Sequence, residues 1–142
     1  MTARRLLSLF PLLLLCCGGC IKVGPRSDED IYKDLIRQFD DLSGSMTRVM
    51  DERSAQEAKP RIQKTGERIL SLVEAKSENA RRSYQSPNAA EIKAKYEPIL
   101  SATIARSMNQ FQRIRQQVQA PAAKELAGEV AKIYQQCGVQ IK

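Results

Sequence analysis

Four thiols carry the plainest chemistry in this chain. Cys16, Cys17 and Cys20 crowd its front, and Cys137 stands alone near its end. A thiol attacks as the thiolate, which a neighbouring histidine or concentrated positive charge normally secures. The chain has no histidine and no tryptophan. That removes imidazole bases, imidazole metal ligands and the usual nucleophile–histidine arrangements together. Carboxylates fall in adjacent sets: Asp28, Glu29 and Asp30, then Asp40 and Asp41, then Asp51 and Glu52. Adjacent residues on a helix do not face one another. These sets therefore read as helix caps and solvated faces rather than as a calcium site or a glycosidase pair. Gly18-Gly19 and Gly44 make no phosphate-cradling loop. No catalytic residue, metal or cofactor is assigned, and the chain is not expected to be an enzyme.

The thiols at the front belong to a leader with three physical parts. Arg4 and Arg5 supply a positive start, and no acid precedes Asp28. Leu6 to Cys17 is apolar, interrupted only by Ser8 and Pro11. As a helix this run is about 18 Å long, well short of the ~30 Å hydrocarbon core of a bilayer. It suits a cleaved export signal better than a permanent span. Gly18 and Gly19 then place small side chains before Cys20.

This segment resembles the signal of bacterial lipoproteins, whose lipobox reads Leu, small, small, Cys. The resemblance implies a diacylglycerol joined to the Cys20 sulfur, cleavage between Gly19 and Cys20, and acylation of the new amino group. Cys17 stands where the family prefers Leu. The alternative is an ordinary secretory signal cut after Gly19, which leaves Cys20 unmodified. One acyl chain binds a membrane marginally, whereas two or more hold it durably. The expected partner is thus a membrane, through covalent lipid on Cys20. The expected location is the cell envelope, facing the periplasm or the exterior. Ile21, rather than Asp, follows the cysteine, which under the enteric sorting rule favours the outer membrane.

Removing residues 1–19 takes away two arginines and no acid, which lowers the formal charge from +7 to +5. Both signs are interspersed. Export makes nucleic acid an unsuitable partner, and anionic head groups or envelope polymers fit the excess better. Few aromatic residues remain, namely Phe39, Phe111 and four tyrosines, so the core is thin. Apolar residues at helical spacing, amid Glu, Lys, Gln, Arg and Ala, point to long helices packed side by side.

Residues 20–27 form the lipidated cysteine and a tether, with Gly24-Pro25 opposing regular structure. Ser27 offers an N-cap, and Ile31, Leu35, Phe39, Leu42, Met46 and Val49 mark one face of a first helix to about Met50. Gly44 weakens its middle. Ser54-Ala-Gln-Glu57 matches a capping box for a second helix, with a kink or short preliminary turn at Pro60. Ile62, Ile69, Leu72, Val73 and Ala80 carry it to about Tyr84. Ser86-Pro87 starts a third helix through Ile92, Tyr96, Ile99, Leu100, Ile104, Met108, Phe111, Ile114 and Val118, kinked at Pro98. Ala120-Pro121 interrupts it. A fourth helix uses Leu126, Val130, Ile133, Tyr134 and Cys137 and closes at Gly138.

No run alternates long enough to make a strand. The expected fold is all-α: an up-and-down antiparallel bundle over residues 28–138, with three long helices and a shorter C-terminal one, then a tail at 139–142. The second and third helices are expected to form the main hairpin. Asp51-Glu52-Arg53-Ser54-Ala55, Ala58-Lys59-Pro60 and Lys95-Tyr96-Glu97-Pro98 are similar to segments of uncharacterised helical proteins of planctomycete-like bacteria. That resemblance implies helices and brings no activity with it.

From Pro98 to Lys124 every charge is positive, which makes Arg106, Arg113 and Arg115 candidates for facing a polyanion. More often such a stretch is merely the wet side of a helix. Tyr84, Tyr96 and Tyr134 either line a groove or pack at the edge of the core. Two functions are consistent with these residues. One is a tethered helical bundle that offers a helix face to an envelope protein or to its own copies. The other is an envelope carrier or sensor for an apolar or anionic ligand held between helices opened at Pro60 and Pro98.

Overall fold

The computed structural model describes residues 26–81 and 87–141. The expected signal segment, Cys20 with most of its tether, Tyr84, Ser86 and Lys142 lie outside these residues. Four helices account for nearly all of the described chain: α1 (Asp28–Thr47), α2 (Glu52–Arg81), α3 (Ala89–Gln117) and α4 (Pro121–Gln136). No strand occurs among the described residues, in keeping with the all-α expectation.

Local chemistry sets most helix ends. Ser27 Oγ accepts the Asp30 N–H at 3.1 Å, and three acids fill the first turn of α1, where the helix dipole is positive. The start of α2 differs from the expected capping box. Asp51 Oδ1 accepts the Ser54 N–H at 2.8 Å, while Ser54 Oγ accepts the Asp51 N–H at 3.0 Å. The reciprocal pair is therefore Asp51 with Ser54, and Glu57 instead pairs with Arg53 at 2.9 Å. A carboxylate three residues upstream of Ser54 outcompetes one three residues downstream, because it meets the N–H groups that the helix leaves free. Pro87 lies in a turn before α3 rather than at its first position, and Asn88 is the N-cap. Pro121 does open α4, and Gly138, at φ 74°, ends the segment in the left-handed region that glycine tolerates.

Both interior prolines lie within helices that run on unbroken. Pro60 and Pro98 are exposed, as are Gln56 and Ala94, whose carbonyls lose their helical donors. On an exposed face such carbonyls are open to water, so neither proline needs to end its helix.

Packing departs from the expected order. The helix α1 contacts α2 and α3, and α4 contacts the same two, whereas α2 and α3 do not pack on each other. The expected hairpin of the second and third helices is therefore absent. Its place is taken by two hairpins, α1–α2 and α3–α4, laid side by side. Cross-links fix their register. Glu29 meets Tyr96, Asp40 meets Arg106 and Met46 meets Arg113, so α1 and α3 run parallel, 66 or 67 residues apart. Lys59 meets Glu125 and Gln63 meets Glu129, both 66 residues apart, so α2 and α4 are also parallel. The reason lies in α1, whose buried residues Ile31, Tyr32, Leu35, Gln38, Phe39, Leu42 and Met46 make a face too wide for one neighbour.

Helix ends that lack a local cap are served from across the bundle. Glu52 of α2 accepts the Ala122 N–H of α4 at 2.9 Å, where Ala120 offers no side-chain cap. Arg113 of α3 donates to the carbonyls of Met46 at 2.7 Å, Thr47 at 3.3 Å and Val49 at 3.1 Å, where α1 has no basic residue in its last turn. Charge-assisted bonds of this kind contribute about 1.5–3 kcal/mol. Arg113→Ala is expected to destabilise the protein by about that amount. Arg113→Lys, which keeps the charge but loses the planar fork, is expected to restore less than half of it. Urea unfolding followed by circular dichroism measures both.

Candidate functional site

The chemistry-bearing residues separate into groups with distinct surroundings. Each acidic cluster is divided among structural tasks. Asp28 accepts from Asn79 at 3.1 Å, and Asp30 accepts from Ser27 at 2.7 Å. Glu29 lies between Lys33 at 2.8 Å and the Tyr96 hydroxyl at 2.7 Å, and these donors, Lys33 foremost, hold its carboxyl below the usual range. Asp40 pairs with Arg106 at 3.0 Å. The Ser54 hydrogen bonds hold the Asp51 carboxyl below its ordinary value. No group of three or more Cys, Asp or Glu side chains gathers in a metal-holding arrangement among the described residues.

The three arginines considered for a polyanion do not share one surface. Arg106 turns to Asp40 and Thr103, and Arg113 is committed to the end of α1. Arg115 lies over the Phe111 ring, 5.5 Å from its centre, and lines a cleft between α3 and α4 with Lys124. Helical rotation separates these residues, since steps of seven and two cannot keep all three on one line. Cys137 is half-buried and free, and burial pushes its thiol pKa upward, away from the reactive thiolate.

Of the tyrosines considered for a groove, Tyr96 and Tyr134 belong to the core, and Tyr84 lies outside the described residues. Tyr96 stacks on Tyr32 with ring centres 6.2 Å apart, and Lys76 lies 4.4 Å from the centre of the Tyr32 ring. Tyr134 is fully buried between Phe39, stacked at 6.3 Å, and Phe111, edge-on at 5.6 Å. Its hydroxyl shares a hydrogen bond with Ser107. Burial raises the Tyr134 pKa to about 12, against a smaller opposing effect of the Ser107 bond.

Sequence reasoning missed several buried positions. Ala80, expected on the apolar face of α2, is exposed, and its neighbour Asn79 is buried instead. Asn79 donates to the Arg26 carbonyl at 3.0 Å as well as to Asp28, tying the end of α2 to the start of α1. Ile99, expected in the core, is 47% exposed, while Thr103 and Ser107 are buried. At Gly66 an added Cβ would run into Ile133, so the absence of a side chain lets α2 and α4 approach closely. Gln38 is 4% exposed, and its Oε1 is sealed from solvent without a donor. Seven-residue spacing from Ile31 was available as a signal for Gln38, although a polar residue carries no hydrophobic mark.

No protein-family model matches this chain, and comparisons with curated proteins and with solved structures likewise give no match.

Two of these polar groups give opposite expectations. An unpaired buried acceptor costs about 1–3 kcal/mol, so Gln38→Leu, of similar volume, is expected to stabilise the protein by about 1 kcal/mol in urea unfolding. Tyr134→Phe strips Ser107 of its partner and is expected to cost about 1–3 kcal/mol, part of which Ser107→Ala in the same chain recovers. The Tyr134 phenol ionises from about pH 10 when unfolded but holds its proton to about pH 12 when folded. Its contribution is complete below pH 10 and is lost as pH rises through 12. Unfolding free energies measured across that window should fall less steeply in Tyr134→Phe than in the parent.

Proposed function

We propose that this chain is a lipoprotein of the bacterial cell envelope, tethered to a membrane through lipid on Cys20, whose helical bundle acts as a structural or interaction module without catalysis. The observation that carries this reading is Cys17-Gly18-Gly19-Cys20 at the end of a positive, apolar leader. The described fold is compatible with it. Its first helix starts at Asp28, so the eight Cα-to-Cα steps from Cys20 to that helix span at most about 28 Å. That length keeps the bundle close to the bilayer surface. No described helix is long and apolar enough to cross a membrane, and attachment in this reading rests on the acylated cysteine.

The bundle itself favours an interaction role over a carrier of apolar ligands. The carrier reading needs helices parted at Pro60 and Pro98, and both helices continue through those residues. A helix face turned to an envelope protein, or to a second copy, needs no such opening. Nucleic acid is not a partner in this reading, because an exported chain does not meet it.

The lipid anchor is tested directly in cells. Intact-mass analysis of the membrane fraction is expected to find a chain lacking residues 1–19 and carrying added acyl groups. Cys20→Ser is expected to lose most of its membrane association, and retention at the parent level would rule the anchor out. Crosslinking in intact cells then addresses the interaction role, with a discrete adduct expected to an envelope protein or to a second copy.

A further inference from the structure

Several cations on the described surface have acidic partners. Arg26 and Arg37 share Asp34, Arg53 pairs with Glu57, Lys59 with Glu125 and Glu129, Lys93 with Glu97, and Arg106 with Asp40. Among the cations without an acidic partner, four meet in one place. Arg48, at the end of α1, and Arg61, Lys64 and Arg68 of α2 line a cleft of about 410 Å³ between these two helices. All four are exposed, and none has a hydrogen-bonding or ion-pairing partner among the described residues. Two carboxylates share the cleft, but Asp40 is engaged by Arg106, which leaves Asp41 alone against four positive charges.

The floor of the cleft is polar and open. Thr65 is 9% exposed, and its hydroxyl has no partner among the described residues. Ser45 lines the same cleft, and at Gly44 an added Cβ would meet only open space. Like charges three and four residues apart on a helix repel one another, so Arg61, Lys64 and Arg68 gain from an anion placed between them and Arg48. A hydroxyl that reaches the cleft without a partner among the described residues leaves a donor for that anion.

We propose that this cleft binds phosphate esters, with Arg48, Arg61, Lys64 and Arg68 holding the charge and Thr65 donating a hydrogen bond from the floor. Phosphate fits better than carboxylate because its tetrahedral oxygens accept donors from several directions at once, and arginine forks match it bidentately. The volume suits a glycerophosphate group, whether free or as a lipid head group. The proposal rests on the cleft alone and stands apart from the fate of Cys20.

The full chain, extracted in a neutral detergent at low salt, is titrated calorimetrically with three probes. These are glycerol 1-phosphate, dihexanoylphosphatidylglycerol and zwitterionic dihexanoylphosphatidylcholine. Binding of either anionic probe, with phosphatidylcholine weaker, supports the site. The preferred anionic probe tells a free ester from a lipid head group. The combined variant Arg61→Gln, Lys64→Gln and Arg68→Gln is expected to bind about tenfold more weakly or worse, with an unchanged circular-dichroism spectrum. Thr65→Val changes no charge and keeps the shape, and it is expected to weaken binding severalfold. Silence from both anionic probes, equal binding of phosphatidylcholine, or parent-like affinity in both variants would overturn the proposal.

Discussion

A helix ends in carbonyls that its own turns cannot satisfy, and α1 gives its last ones to a guanidinium on another helix. Arg113 gathers Met46, Thr47 and Val49 into one fork, at the point where the dipole of α1 is negative. The same end of the bundle holds the complementary arrangement, with Glu52 at the bare start of α4. These two contacts set the positions of α3 against α1 and of α4 against α2. Neither pair could slide by a turn without losing its cap. The apolar core tolerates several nearby registers, and these polar contacts select one.

Within that frame the core is apolar except at a few positions. Tyr134 brings α4 against Phe39 of α1 and Phe111 of α3, and its hydroxyl has Ser107 as a partner. A large aromatic ring compensates here for a core with few aromatic residues, provided its polar tip is satisfied. Gln38 shows the other outcome, a buried acceptor with nothing to accept. The cationic cleft lies farther along the same α1–α2 face, where charge is left over on the surface rather than sealed beneath it.

Features decided within one turn of chain were legible in the amino-acid order. Ser27 as a cap, Pro121 at the start of α4, Gly138 at its end and the heptad-like stripes of α1 and α4 all depend on neighbours within a few residues. Features decided by partners far along the chain were not. Asp51 and Glu57 both lie three residues from Ser54, and the backbone path into α2 chose between them. Pro60 and Pro98 read as sites of a kink or preliminary turn, and both helices run on through them on an exposed face. Length similarity suggested pairing α2 with α3, yet the width of the α1 face placed α1 and α4 between them. Arg113 read as one charge in a positive run, since nothing in its own segment reveals a helix end 66 residues away.

The common offset between the hairpins also bears on how the chain assembles. Each hairpin closes over a short connection, so its two helices find each other locally. Contacts between hairpins at Glu29, Asp40, Lys59 and Gln63 all span 66 or 67 residues. The entropy of closing so long a loop is lost once, at whichever of these pairs forms first. Every later pair then lies close to its partner in the right phase, and the two sides zip together at little further entropic cost. The contacts that bridge the hairpins thus carry one large entropic cost between them rather than one for each.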